Sequence, residues 1–310
     1  MTSLICGSLA FDSIMSFEGR FSEALLADQL HKINLSFLVP ALRREFGGCA
    51  GNIAYNLKLL NGDPLIMATI GSDGAPYLER FDRLGISRRC VRTFESTYTA
   101  QAFITTDRDN NQITAFHPGA MMLSHQNKVA DAGPVKLAIV APDGRDGMVQ
   151  HAEDCSAAGI PFIFDPGQGL PMFNGADLEH FIELATYVAV NDYEAELLTE
   201  RTGLTLKEIA QRVDALVVTR GEQGAEIFTD GQRIDIPCVE ADRVTDPTGC
   251  GDAFRAGMLY GLTNGMDWAT IGRLSSLMGA IKIAHQGGQN HVLSRAEIDD
   301  RFHRVFGYRL

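Results

Sequence analysis

Along the second half of the chain, short apolar runs recur at intervals that leave room for a helix. "LAIVAP" (137–142), "PFIFD" (161–165), "YVAVN" (187–191) and "ALVVTRG" (215–221) are nearly continuous in β-favouring hydrophobic residues. Segments such as "GMVQHAEDCSAAG" and "EAELLTERTG" separate them and can each hold a helix. Strands apolar on both faces and spaced by helices predict a parallel sheet of strand–helix–strand units. Such sheets bind ligands beyond the carboxyl ends of their strands. Those ends read Pro142-Asp143-Gly144, Asp165-Pro166-Gly167, Asn191-Asp192 and Thr219-Arg220-Gly221, all polar or glycine-bearing.

The first half has a different pattern. "TAQAFITTD" (99–107) and "QITAFHP" (112–118) flank the turn-forming tetrad "RDNN", which predicts a β-hairpin. The segment 13–46 shows no helical period and contains "NLSFLVP". No repeat, low-complexity tract or Pro/Ser-rich linker divides the chain. The expected organisation is one α/β body (about 1–12, 47–95 and 122–310) with a β-rich lobe inserted into it (about 13–46 and 96–121).

Composition narrows the partners. The 310 residues are 45% hydrophobic and 21% charged, an ordinary globular balance. A formal net charge of −12 argues against nucleic acid as the main partner. It still allows a small anion held locally by backbone amides. Six cysteines (6, 49, 90, 155, 238 and 250) form no Cys-x-x-Cys pair, so reduced thiols are expected. The start "MTSLICGSLAFDS" has no basic region, and no apolar run nears the ~20 residues of a membrane span. A cytoplasmic chain without membrane contact is the expectation.

The stretch "DPTGCGDAFRAG" (246–257) carries the strongest candidate chemistry. Pro247 and the residues from Thr248 to Gly251 predict a turn, and Ala253 to Leu262 predict a helix buried on most of its surface. A glycine-lined turn feeding a helix leaves backbone N–H groups without partners, and the helix dipole adds positive potential. That makes an anion hole. Asp252 is then either a first-turn cap or a base that takes a hydroxyl proton while the amides hold charge on a transferred phosphoryl group. The stretch has no Gly-Lys-Ser/Thr ending, and Phe254 stands where a dinucleotide fingerprint needs glycine. Cys250 reads as a small spacer.

Three further places could join it. In "FGGCAGNIAYNLKLLNG" (46–62), Gly47-Gly48 form a turn before a helix bearing Ile53, Leu57 and Leu60, with Asn52 in its first turn as cap or ligand contact. In "NDYE" (191–194), Asn191 and Glu194 have capping-box spacing, and the competing reading puts Glu194 near a magnesium ion through water. "TRGEQGA" (219–225) reads as a β-turn with "AEIF" as the returning strand. Asp12 in "GSLAFD" is, by itself, a turn residue. No histidine pair has metal-ligand spacing, and no Gly-x-Ser-x-Gly elbow occurs. The first strand lacks the Gly-x-Gly-x-x-Gly of an NAD-dependent oxidoreductase. A nucleoside hydrolase would need an N-terminal aspartate cluster for calcium, and only Asp12 is there.

Taken in order, "GGCAGN", "NDYE" and "DPTGCGDAFRAG" resemble three signatures of the ribokinase-like (PfkB) carbohydrate and nucleoside kinases, and the resemblance spans essentially the whole chain. It implies a Rossmann-like α/β fold, a mostly parallel sheet flanked by helices, with a small β lid. It implies Asp252 as the base for a primary hydroxyl, with the amides of Gly249, Cys250 and Gly251 as the anion hole. Asn191 and Glu194 would position the ATP phosphates and magnesium, and Thr219, Gly221, Gly224 and Thr248 would lie along the ATP site. Ser8, Asp12, Gly47, Gly48 and Asn52 would bind the sugar of the substrate, Asp12 taking two hydroxyls.

"FEGRF", "NLSFLVP", the hairpin and "FDPGQG" further resemble bacterial adenosine or broad-specificity nucleoside kinases. The implied reaction is ATP-dependent phosphorylation of the ribose 5′-hydroxyl of a purine nucleoside, adenosine to AMP. A nucleobase needs an apolar slot with an aromatic face and a few hydrogen-bonding groups. Gln101, Phe103, Phe116 and Gln168 are expected to supply them. The alternatives are a sugar kinase of the same family and a non-catalytic nucleoside-binding protein. "DPGQG" in place of Asp-x-Asn-x-Arg weakens the first, and the presence of Asp252 weakens the second. The resemblance leaves open a monovalent cation such as K+ and a homodimer.

Overall fold

The computed structural model describes residues 1–24, 36–109 and 111–310. The part of the expected lobe at 25–35, with the first residues of "NLSFLVP", and Asn110 of the "RDNN" turn lie outside the described residues.

The chain opens with β1 (Thr2–Cys6), then crosses into β2 (Ala10–Ser16), a four-residue helix α1 (Phe21–Ala24) and β3 (Ala41–Gly47). It returns through α2 (Cys49–Leu59), β4 (Asp63–Gly71), α3 (Ala75–Leu84) and β5 (Ser87–Phe94). The predicted hairpin is β6 (Ala100–Thr106) and β7 (Gln112–His117), which pair antiparallel. The alternating half follows: β8 (Leu137–Val140), α4 (Arg145–Ala157), β9 (Phe162–Phe164), α5 (Gly175–Leu184), β10 (Tyr187–Asn191) and α6 (Asp192–Thr202). Next come α7 (Leu206–Ala210), β11 (Ala215–Thr219), β12 (Ala225–Thr229) and β13 (Gln232–Ile236). The chain closes with α8 (Cys250–Thr263), α9 (Trp268–Ile283) and α10 (Arg295–Phe306).

Among the described residues one sheet has nine strands, in the order β13-β12-β11-β10-β9-β8-β1-β4-β5. It is parallel from β11 to β5, and β12 and β13 add on antiparallel, so "AEIF" is indeed a returning strand. The apolar runs are continuous because both faces are covered. Successive side chains of a strand point to opposite faces. In β1, Ile5 joins a cluster with Ile53 and Leu57 of α2 and Leu259 of α8, while Leu4 joins one with Met148 of α4 and Phe181 of α5. Each such fully buried Leu or Ile stabilises the fold by roughly 1.5–3 kcal/mol relative to exposure.

The lid is a second sheet, ordered β3-β2-β6-β7. β2 pairs antiparallel with β3 and parallel with β6. β2 already runs from Ala10, so Asp12 is a strand residue of the lid sheet and not a turn residue of the body. Asp73, in the loop after β4, ties this sheet down: it accepts from the Thr99 amide (2.7 Å), Gln101 Nε2 (2.9 Å) and an Arg44 guanidinium nitrogen (3.1 Å).

Candidate active site

Parallel strand order brings the ends of β1, β8, β9, β10 and β11 to one edge of the sheet, and α2 and α8 begin at that edge. The start of α8 follows a turn capped by Gly249 at φ +79°, a left-handed conformation that glycine adopts without cost. No side chain caps this helix. The Cys250 amide donates to the Pro247 carbonyl at 3.1 Å, closing the turn. The amides of Gly249, Gly251 and Asp252 have no intramolecular partner among the described residues. The set of free amides therefore differs from the expected one: Cys250 supplies no free N–H, and Asp252 supplies one. The Cys250 thiol is pushed up to about 11 by burial, which keeps it a neutral spacer.

Asp252 is half-buried beside these amides. Its Oδ2 accepts from Asn52 Nδ2 at 2.8 Å. Burial raises its pKa to about 6; Asp165 pushes the same way, while the Asn52 hydrogen bond and the Arg255 guanidinium oppose. A carboxyl group that titrates just below neutral pH is ionised at neutral pH and can still accept a proton. Burial and Asp252 also hold the Cys49 thiol well above its usual range, so it stays protonated.

Asn52 sits in the first turn of α2, as expected, yet both ends of its amide are engaged. Its Oδ1 accepts from Gln289 Nε2 at 3.1 Å, and that same nitrogen donates to Tyr77 OH at 2.7 Å. Tyr77 OH donates to the Gly47 carbonyl at 2.6 Å, and Arg80 holds Gln289 through its Oε1 (3.1 Å) and carbonyl (2.6 Å). Asn52 thus orients Asp252 and ties it to the lid strand that ends at Gly47. Gly48, the next residue, caps α2 at φ +85°, where a Cβ would lie 2.5 Å from the Ser8 carbonyl. Ser8 Oγ accepts the Cys49 amide at 3.2 Å, so Ser8 caps α2 from the loop after β1.

Asp12 is partly open, beside Gly47, where a Cβ would come 2.4 Å from its Oδ2. Burial first, then Glu45 and Asp246, raise its pKa to about 6. Register fixes which residues share its face. Asp12 pairs with Glu45 and Ala102, and Ala102 pairs with Phe116. Phe103 pairs with Ser13 and Ala115 and so lies on the opposite face. Glu45 accepts from Asn290 Nδ2 at 2.7 Å, which turns the Asp12 face toward the residues after α9. The expectation that Phe103 and Phe116 line one slot is therefore not met, because the lid separates them. Gln101 shares the Phe103 face and is bound to Asp73, and Gln168 is exposed in the 3-10 turn Gly167–Met172 after β9.

At the start of α6, the capping box read from "NDYE" is present. Asn191 Oδ1 accepts the Glu194 amide (2.7 Å), and Glu194 accepts the Asn191 amide (2.8 Å) and side-chain amide (2.9 Å). Burial raises the Glu194 pKa, with Asp165 adding to it and Arg255 opposing. Arg255, one turn beyond Asp252, forms a buried ion pair with Asp165 at 3.1 Å and balances this group of carboxylates. Among the described residues no three His, Cys, Asp or Glu side chains converge as a metal cage. Glu194 keeps carboxylate lone pairs free on both oxygens, which fits a magnesium ion held through water and phosphate oxygens. Thr219 ends β11, Gly221 and Gly224 flank the turn into β12, and exposed Thr248 donates its amide to Asp246 Oδ1 at 2.9 Å.

Gln289, Tyr77, Arg80 and Arg255 complete the site and were not expected from the sequence. Only the "GGQN" run (287–290), a glycine pair ahead of two amides, could have pointed to Gln289.

Among the described residues, amides without partners at a helix start, an aspartate beside them and a mostly parallel sheet with a small β lid match a phosphotransferase of ribokinase-like fold. The pfkB family carbohydrate kinase profile matches residues 12–295, and the chain belongs to that family, whose members transfer a phosphoryl group to an alcohol. The solved structure of Burkholderia thailandensis nucleoside kinase in complex with inosine is similar, at 63% identity and a TM-score of 0.90 over 99% of each chain. The same enzyme in complex with ADP-inosine gives 65% identity and a TM-score of 0.88, over 99% of this chain and 97% of that one. The nucleoside kinase of Methanocaldococcus jannaschii, an archaeal member of the ribokinase family, is 28% identical with a TM-score of 0.88 over 98% of each chain.

Proposed function

We propose that the chain transfers the γ-phosphoryl group of ATP to the ribose 5′-hydroxyl of a purine nucleoside. The observation that carries this reading is a carboxylate with a pKa of about 6, Asp252, set at a helix start whose amides at 249, 251 and 252 have no partner among the described residues. The 5′-oxygen bonds to the γ-phosphorus as its proton passes to Asp252. The bond from that phosphorus to the β–γ bridging oxygen breaks, and ADP leaves. The three amides hold the charge on the transferring oxygens without moving, since the turn is already closed. Asn52 aims the base, and Asp12 and Glu45 face the sugar from the lid.

Magnesium, when bound, neutralises phosphate oxygens, and Glu194 is the residue that would hold it through water. Thr219, Gly221, Gly224 and Thr248 line the path of ATP in this proposal, and Asn191 sets the geometry of Glu194. Phe116 is the lid aromatic assigned to the base, because it shares the face of Asp12. Adenosine is the acceptor expected from the lid sequence. Inosine stands beside it, because the similar Burkholderia thailandensis enzyme holds inosine.

Leu42, Phe103 and Ile113 share the other face of the lid and are 69%, 42% and 46% exposed, which suits a homodimer through that face. A cytoplasmic setting completes the proposal, supported by six free cysteines and, among the described residues, no helix long and apolar enough to cross a membrane.

ADP release with ATP and magnesium, measured across adenosine, inosine, guanosine, cytidine, ribose and fructose, tests the reading. Turnover with purine nucleosides at least about tenfold above the sugars is expected. Preference for a free sugar would overturn it.

A further inference from the structure

Lys282, in the last turn of α9, is fully buried, an unusual place for a lysine. Its ammonium donates to the main-chain carbonyls of Asp246 (2.7 Å) and His285 (3.1 Å). The Asp246 carboxylate works in the opposite sense on the same two segments, accepting the amides of Thr248 (2.9 Å) and Gly287 (2.8 Å). One cation and one anion thereby join the turn before α8 to the turn after α9. The consequences reach the chemistry within a few residues. A Cβ on Gly249 would come 3.1 Å from the Gly288 Cα, so the two turns touch where the anion hole forms. Gln289, next along, holds Asn52, and Asn52 holds Asp252.

A buried amine is costly unless its charge is compensated. Burial lowers the Lys282 pKa, while Asp246, Cys250 and Asp252 favour the charged form. A neutral side chain of the same length could fill the space but could not donate to both carbonyls. The fixed positive charge also lies under the start of α8, with the sign that a transferred phosphoryl group needs. The carbonyls of Asp246 and His285 are oxygen ligands of the kind an alkali cation takes, and the ammonium already occupies them.

We infer that Lys282 is an internal cation that positions the anion-hole turn and makes a bound monovalent ion unnecessary there. The inference rests on the phosphotransfer reading of the same turn. The test compares wild type, Lys282→Met and Lys282→Ala with ATP, magnesium and the preferred nucleoside. Lys282→Met should keep the nucleoside KM within about threefold while kcat falls about 100-fold, the pattern of an interaction felt mainly in the transition state. In Lys282→Ala, ethylammonium should restore turnover about tenfold, and tetramethylammonium at equal ionic strength should not.

Wild type should turn over equally, within about twofold, in potassium, sodium and choline chloride. This series decides the matter alone if neither variant folds. Stimulation of wild type about tenfold or more by potassium, or full turnover by Lys282→Met, would overturn the inference and leave the phosphotransfer reading standing. A wild-type chain inactive on every nucleoside and sugar would overturn both.

Discussion

The starts of α6 and α8 face the same crevice and share one ingredient, an acid in the first turn, though α6 follows directly on β10 and α8 follows a glycine turn. They differ in where their first amides go. At α6, Asn191 and Glu194 satisfy one another's backbone through side chains, and Asp192 takes the Tyr193 amide at 2.9 Å. At α8, glycine at the cap leaves amides without partners among the described residues, and the acid turns to Asn52 in place of its own helix. The first arrangement stabilises a helix and leaves little for a ligand beyond the outer lone pairs of Glu194. The second leaves a helix end incomplete among the described residues, and in the proposed reaction the transferred phosphoryl group completes it. An acidic residue in a first turn is thus informative only together with the bookkeeping of the amides around it.

The largest effect that would test this contrast is at Asp252. Asp252→Ala should lower kcat by about 10³–10⁴-fold while nucleoside binding by calorimetry is kept. A variant with near-normal turnover would sink the base assignment. The wild-type pH–rate profile should show kcat/KM rising through about pH 6, because the folded pKa lies above the ordinary carboxylate value and only the ionised form accepts a proton. The same sign makes ionisation of Asp252 a cost to folding above that pH, so Asp252→Asn should raise the melting temperature at pH 7.5.

Next comes Gly249→Ala, which asks for a Cβ at φ +79° against Gly288. It should cost about 1–2 kcal/mol in a denaturant melt and about 100-fold in kcat, because the free amides lose their aim. A loss of stability with kcat unchanged would show that the turn is not the anion hole. The smallest effect is expected at α6. Asn191→Ala should cost about 1 kcal/mol of stability through the lost capping box, read by urea midpoint, with kcat falling no more than about tenfold. If its kcat falls as far as that of Gly249→Ala, the two helix starts do equivalent chemical work and the contrast fails.

Local pattern carried much of this molecule. The four apolar runs are strands β8 to β11, the runs on either side of "RDNN" are the antiparallel pair β6 and β7, and "NDYE" is a capping box, because each depends on residues a few positions apart. What was hidden depends on register and on long-range pairing. Phe103 pairs with Ala115 and Phe116 with Ala102, so a single residue of offset sends the two rings to opposite faces. The Asn52–Gln289–Tyr77 chain joins segments more than 200 residues apart in sequence, and no period announces it. Lys282 looks like an ordinary helix-ending lysine until α9 is packed. Asp12 reads as a turn residue until β2 is seen to leave the body at Ala10.

The lid's central pairing bears on how the chain folds. β2 and β6 run side by side and parallel, matched from Ala10 with Ala100 to Ser16 with Thr106, while β3, α2, β4, α3 and β5 lie between them in sequence. A parallel pair has no tight turn to nucleate it, and closing so long a loop is entropically unfavourable until the intervening segment is already in place. The β2–β6 pair is therefore expected to close only once the segment between its strands has folded. Refolding should show core protection from hydrogen exchange before protection of the amides in β2 and β6, and substrate affinity should return only in the slower of the two phases.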